Sequence, residues 1–221
     1  MDKKSIKISL IINIIITVFT VFAITIMFTG FKFMQGEYVL ESTKIGMFKF
    51  FTVDSNIFMG VVSLIFAIKE IELLKGKIKE IPISLYIIKL TVTVGVALTF
   101  LTVFCYLGPI AETGLVSLLK NSNLFFHLLT PILAIISFIF FERTDKLKFK
   151  YSILGILTSL AYAVFYLINI LIHIENGKVS PVYDWYWFVQ GGLWQALIVM
   201  PIMLIITYII SLLFWKFNKR K

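Results

Sequence analysis

Six apolar runs, each long enough to cross a hydrocarbon layer about 30 Å thick, divide this chain and leave it little else to fold into. They cover about 8–30, 50–68, 86–108, 124–141, 152–174 and 193–215 of its 221 residues. A helix satisfies its own backbone in lipid and an open strand does not, so runs of this length read as membrane-spanning helices. The connections between them are short. The expected fold is therefore an all-α integral membrane protein, a six-transmembrane-helix bundle forming a single polytopic domain over residues 1–221. A mean hydropathy of +0.96 agrees with that class. The first run follows Lys3, Lys4 and Lys7, as the core of a signal peptide would. It exceeds the usual apolar length of roughly 7–15 residues and lacks a small-residue cleavage site, so it reads as a retained first helix.

Charge supplies the orientation. Of the 21 lysines and arginines, 16 fall in the N-terminal tail, the 69–89 connection, the 143–150 connection and the C-terminal tail. Lys89, just inside the third run, is counted with its loop. The other five, Lys32, Lys44, Lys49, Lys120 and Lys178, fall on the opposite side. The positive-inside rule then places both termini in the cytoplasm. These basic groups flank apolar spans instead of forming one continuous face, which excludes a nucleic-acid partner and leaves the lipid bilayer as the expected one. Lysine outnumbers arginine 19 to 2 and isoleucine is abundant, a composition that points to an AT-rich bacterial source and hence a plasma-membrane location. Cys105 is alone, so it forms no intrachain disulfide and is expected as a small core residue.

Polar side chains inside spans are costly and cluster where a bundle needs them. The second span carries Thr52, Ser55, Asn56, Met59 and Ser63 along one helical stripe. The fourth carries Asn123, His127, Thr130, Ala134 and Ser137, and the fifth Gly155, Ser159, Tyr162, Tyr166, Asn169 and His173. The third offers Thr91, Gly95, Thr99, Thr102 and Tyr106. With cytoplasmic termini, Thr52, Ser55, Asn56, Asn123, His127, Asn169 and His173 all belong to the outer leaflet. The following loop adds Glu175, Asp184 and Gln190 among Tyr183, Trp185, Tyr186, Trp187 and Trp194, aromatics expected to form an interfacial belt. No comparable cluster is expected in the inner halves of the spans. One site near the outer interface follows.

Two readings of that site compete. In the structural one, Thr52 and Ser55 cap the free N–H groups at the start of the second span, His127 donates to a carbonyl or a tyrosine, and His173 sits at the interface. In the chemical one, Thr52 is a nucleophile and His127 the base that takes its proton, since a threonine hydroxyl is inert without one. Asn123, Asn169, Asp184 or Glu175 would then fix the imidazole tautomer, and free amides near Thr52 would hold an oxyanion. A site at that depth meets the ester carbonyl of a lipid, with apolar tails below it and water above.

The Phe50-Phe51-Thr52 opening of the second span, His127-x-x-x-Pro131 in the fourth, and the region from Tyr162 to Pro181-Val182-Tyr183 resemble the androgen-induced and androgen-dependent TFPI-regulating protein family. The Asp54-Ser55-Asn56 continuation is similar to its bacterial branch. The resemblance extends over nearly the whole chain. It implies a multipass threonine hydrolase with Thr52 as nucleophile and His127 as partner, acting on fatty acid esters of hydroxy fatty acids or similar long-chain esters. Ser55 is the alternative hydroxyl, and Asn56, Asn123, Tyr166, Asn169, His173 and Asp184 would bind or support. No cofactor is expected, and no metal, since two histidines and scattered carboxylates show no ligand spacing. The alternatives are a small-molecule transporter, against which stands the expected lack of charge deep in a span, a haem carrier using His127 and His173, and a non-catalytic multipass protein.

The charge split makes a direct prediction. In a Cys105→Ala background, Lys178→Cys should react with an impermeant maleimide on intact cells and Lys146→Cys should be protected. The reverse labelling pattern inverts the orientation.

Overall fold

Apolar periodicity resolves into six long helices in a computed structural model that describes residues 2–35, 42–112, 114–189 and 192–219. They are α1 (Lys3–Thr29), α2 (Phe51–Leu74), α3 (Ile83–Leu107), α4 (Ser122–Phe141), α5 (Phe149–Ile172) and α6 (Leu193–Asn218). Five of them, all but α2, are long and apolar enough to cross a membrane. α2 is of similar length but carries Asp54, Lys69, Glu70 and Glu72. A two-residue-per-strand hairpin, β1 (Ile174–Glu175) with β2 (Lys178–Val179), follows α5. Gln190 lies outside the described residues. The chain is thus an all-α, multipass type of membrane protein.

Local chemistry sets the helix ends. The Asp2 carboxylate caps α1 by accepting from the Ser5 N–H at 2.8 Å and the Ser5 hydroxyl at 2.9 Å. The backbone bond from Ser5 holds the Asp2 carboxyl below its usual range. α1 stops at Gly30, whose φ of 73° needs the left-handed region. Hydroxyls inside α1 bond back one turn, Thr25 to the Val21 carbonyl at 2.8 Å and Thr29 to the Thr25 carbonyl at 2.7 Å, which satisfies them without water. In α4 the turn Phe125–Leu129 is wound as a wider π-helix immediately before Pro131, whose ring nitrogen has no hydrogen to give.

α3 occupies the centre. Every residue from Val92 to Thr99 is buried, against α2, α4, α5 and α6. α5 and α6 face outward, with Leu197, Ile198, Ile202, Ile205 and Ile209 exposed in a row suited to lipid. Cys105 is exposed near the end of α3, so the expectation of a buried core thiol does not hold. The π-helical winding of Val103–Leu107 accompanies the emergence of this last turn from the packed core. Small residues let backbones approach. A Cβ on Gly60 would stand 2.7 Å from the Thr20 Cγ2 of α1, and one on Gly155 would stand 2.6 Å from the Ser211 Cβ of α6.

The chain termini meet at one end of the bundle, where the Arg143 guanidinium donates to the Lys219 carbonyl and Lys3 shares a groove with Arg143. α2 and α4 begin at the opposite, far end, and α5 finishes there. Gly60→Ala and Gly155→Ala should each destabilise the folded protein by roughly 1–3 kcal/mol through overpacking. Thermal unfolding in lipid discs measures this, and a wild-type melting temperature in both variants would mean that the helices do not approach so closely there.

Candidate functional site

At the far end the start of α2 is held by aromatic side chains instead of by its own. The N-cap residue is Phe50, which has no side-chain capping bond. The Phe51 N–H donates to the Tyr186 hydroxyl at 3.0 Å, and the Val53 and Asp54 N–H groups donate to the Phe50 carbonyl at 3.0 and 3.2 Å. Two expectations are corrected here. Thr52 and Ser55 do not cap the helix, and most of the amides expected to be free for an oxyanion are spent. The displaced role falls to Tyr186, which nothing in the local sequence marks, since it lies 135 residues from its partner.

The Thr52 hydroxyl is half-buried and has no hydrogen-bond partner among the described residues. Its carbonyl accepts from Ser55 Oγ at 3.2 Å and from Asn56 Nδ2 at 2.8 Å. Asn56 Nδ2 also donates to the Phe126 carbonyl of α4 at 3.1 Å, so one amide ties the backbone at Thr52 to the backbone beside His127. Ser55 is buried against α3, with Thr99 Oγ1 at 3.4 Å. His127 is buried, and its Nδ1 lies 2.6 Å from the Leu118 carbonyl. A carbonyl can only accept, so Nδ1 carries the hydrogen and Nε2 is the basic nitrogen. The tautomer is therefore fixed by a main-chain carbonyl and not by Asn123, Asn169, Asp184 or Glu175. No direct hydrogen bond joins His127 to Thr52. Two buried oxygens nearby, Asn56 Oδ1 and Thr130 Oγ1, have no hydrogen-bond partner. Asn123 is buried one turn before His127 on the same face of α4.

The remaining candidates build the cover over this end. Asp184 Oδ1 accepts from the Tyr166 hydroxyl at 2.5 Å and the Phe188 N–H at 2.8 Å, and Oδ2 accepts from the Val189 N–H at 3.1 Å. Asp184 thus fixes the loop that carries Tyr186. Tyr162 donates to the Lys49 carbonyl and accepts from the Trp185 indole at 3.0 Å. Only Tyr183, Trp187 and Trp194 stay exposed as a belt, while Trp185 and Tyr186 turn inward onto Tyr162 and Tyr166. Asn169 Nδ2 donates to the Tyr183 carbonyl at 2.7 Å, and the His173 ring stacks on Tyr183 with centroids 3.6 Å apart. Asn169 and His173 are therefore surface fasteners of the loop, tied to Tyr183 and not joined by any hydrogen bond to Thr52 or His127.

The other end holds a cluster that the sequence pattern did not reveal. Lys89 is wholly buried and not part of its loop. Its ammonium meets Asn13 Oδ1 at 2.5 Å, Ser63 Oγ at 2.9 Å and Glu142 Oε1 at 3.5 Å. Asn13 Nδ2 reaches Glu142 Oε1 at 2.9 Å and Glu70 Oε2 at 3.3 Å, and Ser137 Oγ donates to Glu142 Oε1 at 2.7 Å. Polar residues are thus as concentrated at the end that carries the termini as at the far end, and charge does lie inside the bundle. The available signal was the polar stripe of α1, Ser9, Asn13, Thr17 and Thr20. No protein-family model, no curated protein and no solved structure matches the chain.

Asn56→Leu should cost roughly 1–3 kcal/mol, because it strips a buried carbonyl of its donor, and Tyr186→Phe should cost about 1 kcal/mol through loss of the cap at Phe51. Unfolding of both in lipid discs checks this, and Tyr186→Phe at wild-type stability would remove the tyrosine from the capping role.

Proposed function

We propose that the chain is an intramembrane hydrolase of long-chain esters, with six spans, both termini in the cytoplasm, Thr52 as nucleophile and His127 as base. The observation that carries this reading is the His127 ring, buried with Nδ1 bonded to the Leu118 carbonyl and Nε2 left as a base beside the segment that Asn56 ties to Thr52. An unengaged threonine hydroxyl on that segment is the matching nucleophile. Thr52 Oγ1 adds to the ester carbonyl carbon and its proton passes to His127 Nε2, directly or through one water. Collapse expels the alcohol, which takes that proton, and water repeats the sequence on the acyl-threonine to release the fatty acid. Tyr186, whose oxygen accepts from Phe51, keeps its own O–H for the developing oxyanion. The unpartnered Asn56 Oδ1 and Thr130 Oγ1 are available to the hydrolytic water. A substrate whose tails stay in lipid suits a site one turn below the interface, and a bacterial plasma membrane is the setting proposed for it. The resemblance to multipass threonine hydrolases at Phe50-Phe51-Thr52 and His127-x-x-x-Pro131 supports the same assignment.

A second reading, small-molecule transport, is favoured by Lys89, Glu70 and Glu142, because ionisable side chains inside a bundle mark ion pathways. The two separate on activity. Thr52→Ala and His127→Ala should each nearly abolish hydrolysis of a fatty acid ester of a hydroxy fatty acid, at near wild-type folded yield. The double variant should lose little more, because members of one catalytic unit are not additive. Thr52→Ser should keep part of the activity, and a fluorophosphonate probe should label Thr52. Equal hydrolysis by wild type and the double variant would refute the enzyme.

A further inference from the structure

Four helices meet around a charged group that ester hydrolysis at the far end does not use. Lys89 of α3, Glu70 of α2 and Glu142, which follows the last residue of α4, are wholly buried. The side chains hydrogen-bonded to them among the described residues are uncharged: Ser9 and Asn13 of α1, Ser63 of α2 and Ser137 of α4. One ammonium therefore faces two carboxylates, and with both ionised the group holds one negative charge in excess. The hydrogen-bond pattern shows where the deficit falls. Lys89 has three hydrogens and meets three acceptors, Asn13 Oδ1, Ser63 Oγ and Glu142 Oε1. Asn13 Nδ2 has two hydrogens for three acceptors, Ser9 Oγ at 3.2 Å, Glu142 Oε1 at 2.9 Å and Glu70 Oε2 at 3.3 Å. Glu70 thus receives a shared amide and no ammonium. Two carboxylate oxygens, Glu70 Oε1 and Glu142 Oε2, are buried with no hydrogen-bond partner among the described residues. An unbalanced charge with bare oxygens is costly in a buried interior unless a further positive charge completes it.

A second observation gives such a charge a way in. A groove of about 450 Å³ opens at the end of the bundle that carries the termini, lined among others by Ile6, Leu73, Tyr86 and Arg143. Ile6, Leu73 and Tyr86 each stand three residues, one helical turn, from Ser9, Glu70 and Lys89, and Arg143 is next to Glu142. The groove therefore lies directly over the cluster. The charged residues that line it are Lys3, Lys79, Arg143 and Lys146 with Glu80 and Asp145; Lys146 pairs with Glu80, and Arg143, whose Nε is buried, donates to the Lys219 carbonyl. Asn218 of α6 donates only to the Phe138 and Glu142 carbonyls and brings no charge.

We propose that Glu70 and Glu142 form a binding site for one exchangeable monovalent cation, taken up from this groove, with Lys89 as the fixed second cation. The shared chemistry is one unit of positive charge, supplied as a proton or as an alkali ion. A proton adds to one carboxylate oxygen and turns it into a donor within the group. A sodium ion is bound by the two bare oxygens with hydroxyl oxygen beside them. Withdrawing either leaves the excess charge uncompensated and loosens the packing of α1, α2, α3 and α4 at this end.

The test uses the full chain in discs of phosphatidylcholine. Binding of radioactive sodium is measured at fixed pH, and the infrared C=O band of a protonated carboxyl is measured in sodium-free buffer. One of the two signals is expected in the wild type, and it identifies the ion. It should vanish in both Glu70→Gln and Glu142→Gln, because each leaves one carboxylate balanced by Lys89. Both variants should melt at or above the wild-type temperature, without its dependence on sodium or on pH. A group serving only as a structural ion pair would give the opposite, with lower melting and no cation signal in the wild type. The proposal is overturned if the wild type shows neither signal, if the signal survives in both variants, or if neither variant folds.

Discussion

A polar side chain turned into the middle of a membrane bundle is costly unless its own helix or a neighbouring one satisfies it. Asn13 shows what that requires. From the middle of α1 its amide joins Lys89 of α3, Glu70 of α2 and Glu142 at the end of α4, with Ser9 and Ser137 closing the gaps. Apolar contacts alone give little preference among helix orientations in lipid, because lipid tails are as apolar as leucine. A lysine that must find its carboxylate does give one. Removing the Lys89 charge would leave two buried carboxylates with no cation, and stranding a buried charge typically costs about 3–5 kcal/mol. The network therefore specifies which faces of α1 to α4 meet, and the close approach of α1 to α2 at Gly60 belongs to the same packing.

The far end is solved differently. There the chain leaves the bundle and returns, and the helix start at Phe51 must be covered. Asp184 collects Tyr166, Phe188 and Val189, and the loop so fixed delivers the Tyr186 hydroxyl to the Phe51 N–H. Aromatic rings packed edge and face on one another, Tyr162, Tyr166, Trp185 and Tyr186, cover the end of the bundle that holds the buried His127 and the half-exposed Thr52. The two ends thus pair an uncharged site under an aromatic cover with a charged one under a basic groove.

Much of this was legible in the residues themselves. Run lengths gave the helices, and the stripes on α2 and α4 gave their buried faces, because a period of 3.6 residues puts Ser55, Asn56, Met59 and Ser63, or Asn123, His127, Thr130 and Ser137, on one side. The π-helical turns in α4 did not spoil that register. His127 could be picked out as buried. Its orienting partner could not, because Leu118 offers a backbone carbonyl that any residue would offer.

What the tertiary structure alone decided were the pairings between distant charges. Lys89 sits near a helix start among four loop lysines, and Glu70 and Glu142 sit near helix ends, positions where charged side chains normally reach water. Nothing along the chain distinguishes them from their exposed neighbours. Only the packing of α1 across α2, α3 and α4 shuts them in, and only Asn13, 57 to 129 residues away from its partners, shows that they share one group. Periodicity is a local property and was readable residue by residue. Electrostatic balance belongs to the assembled interior, so it was settled only when four helices closed around one ammonium and two carboxylates.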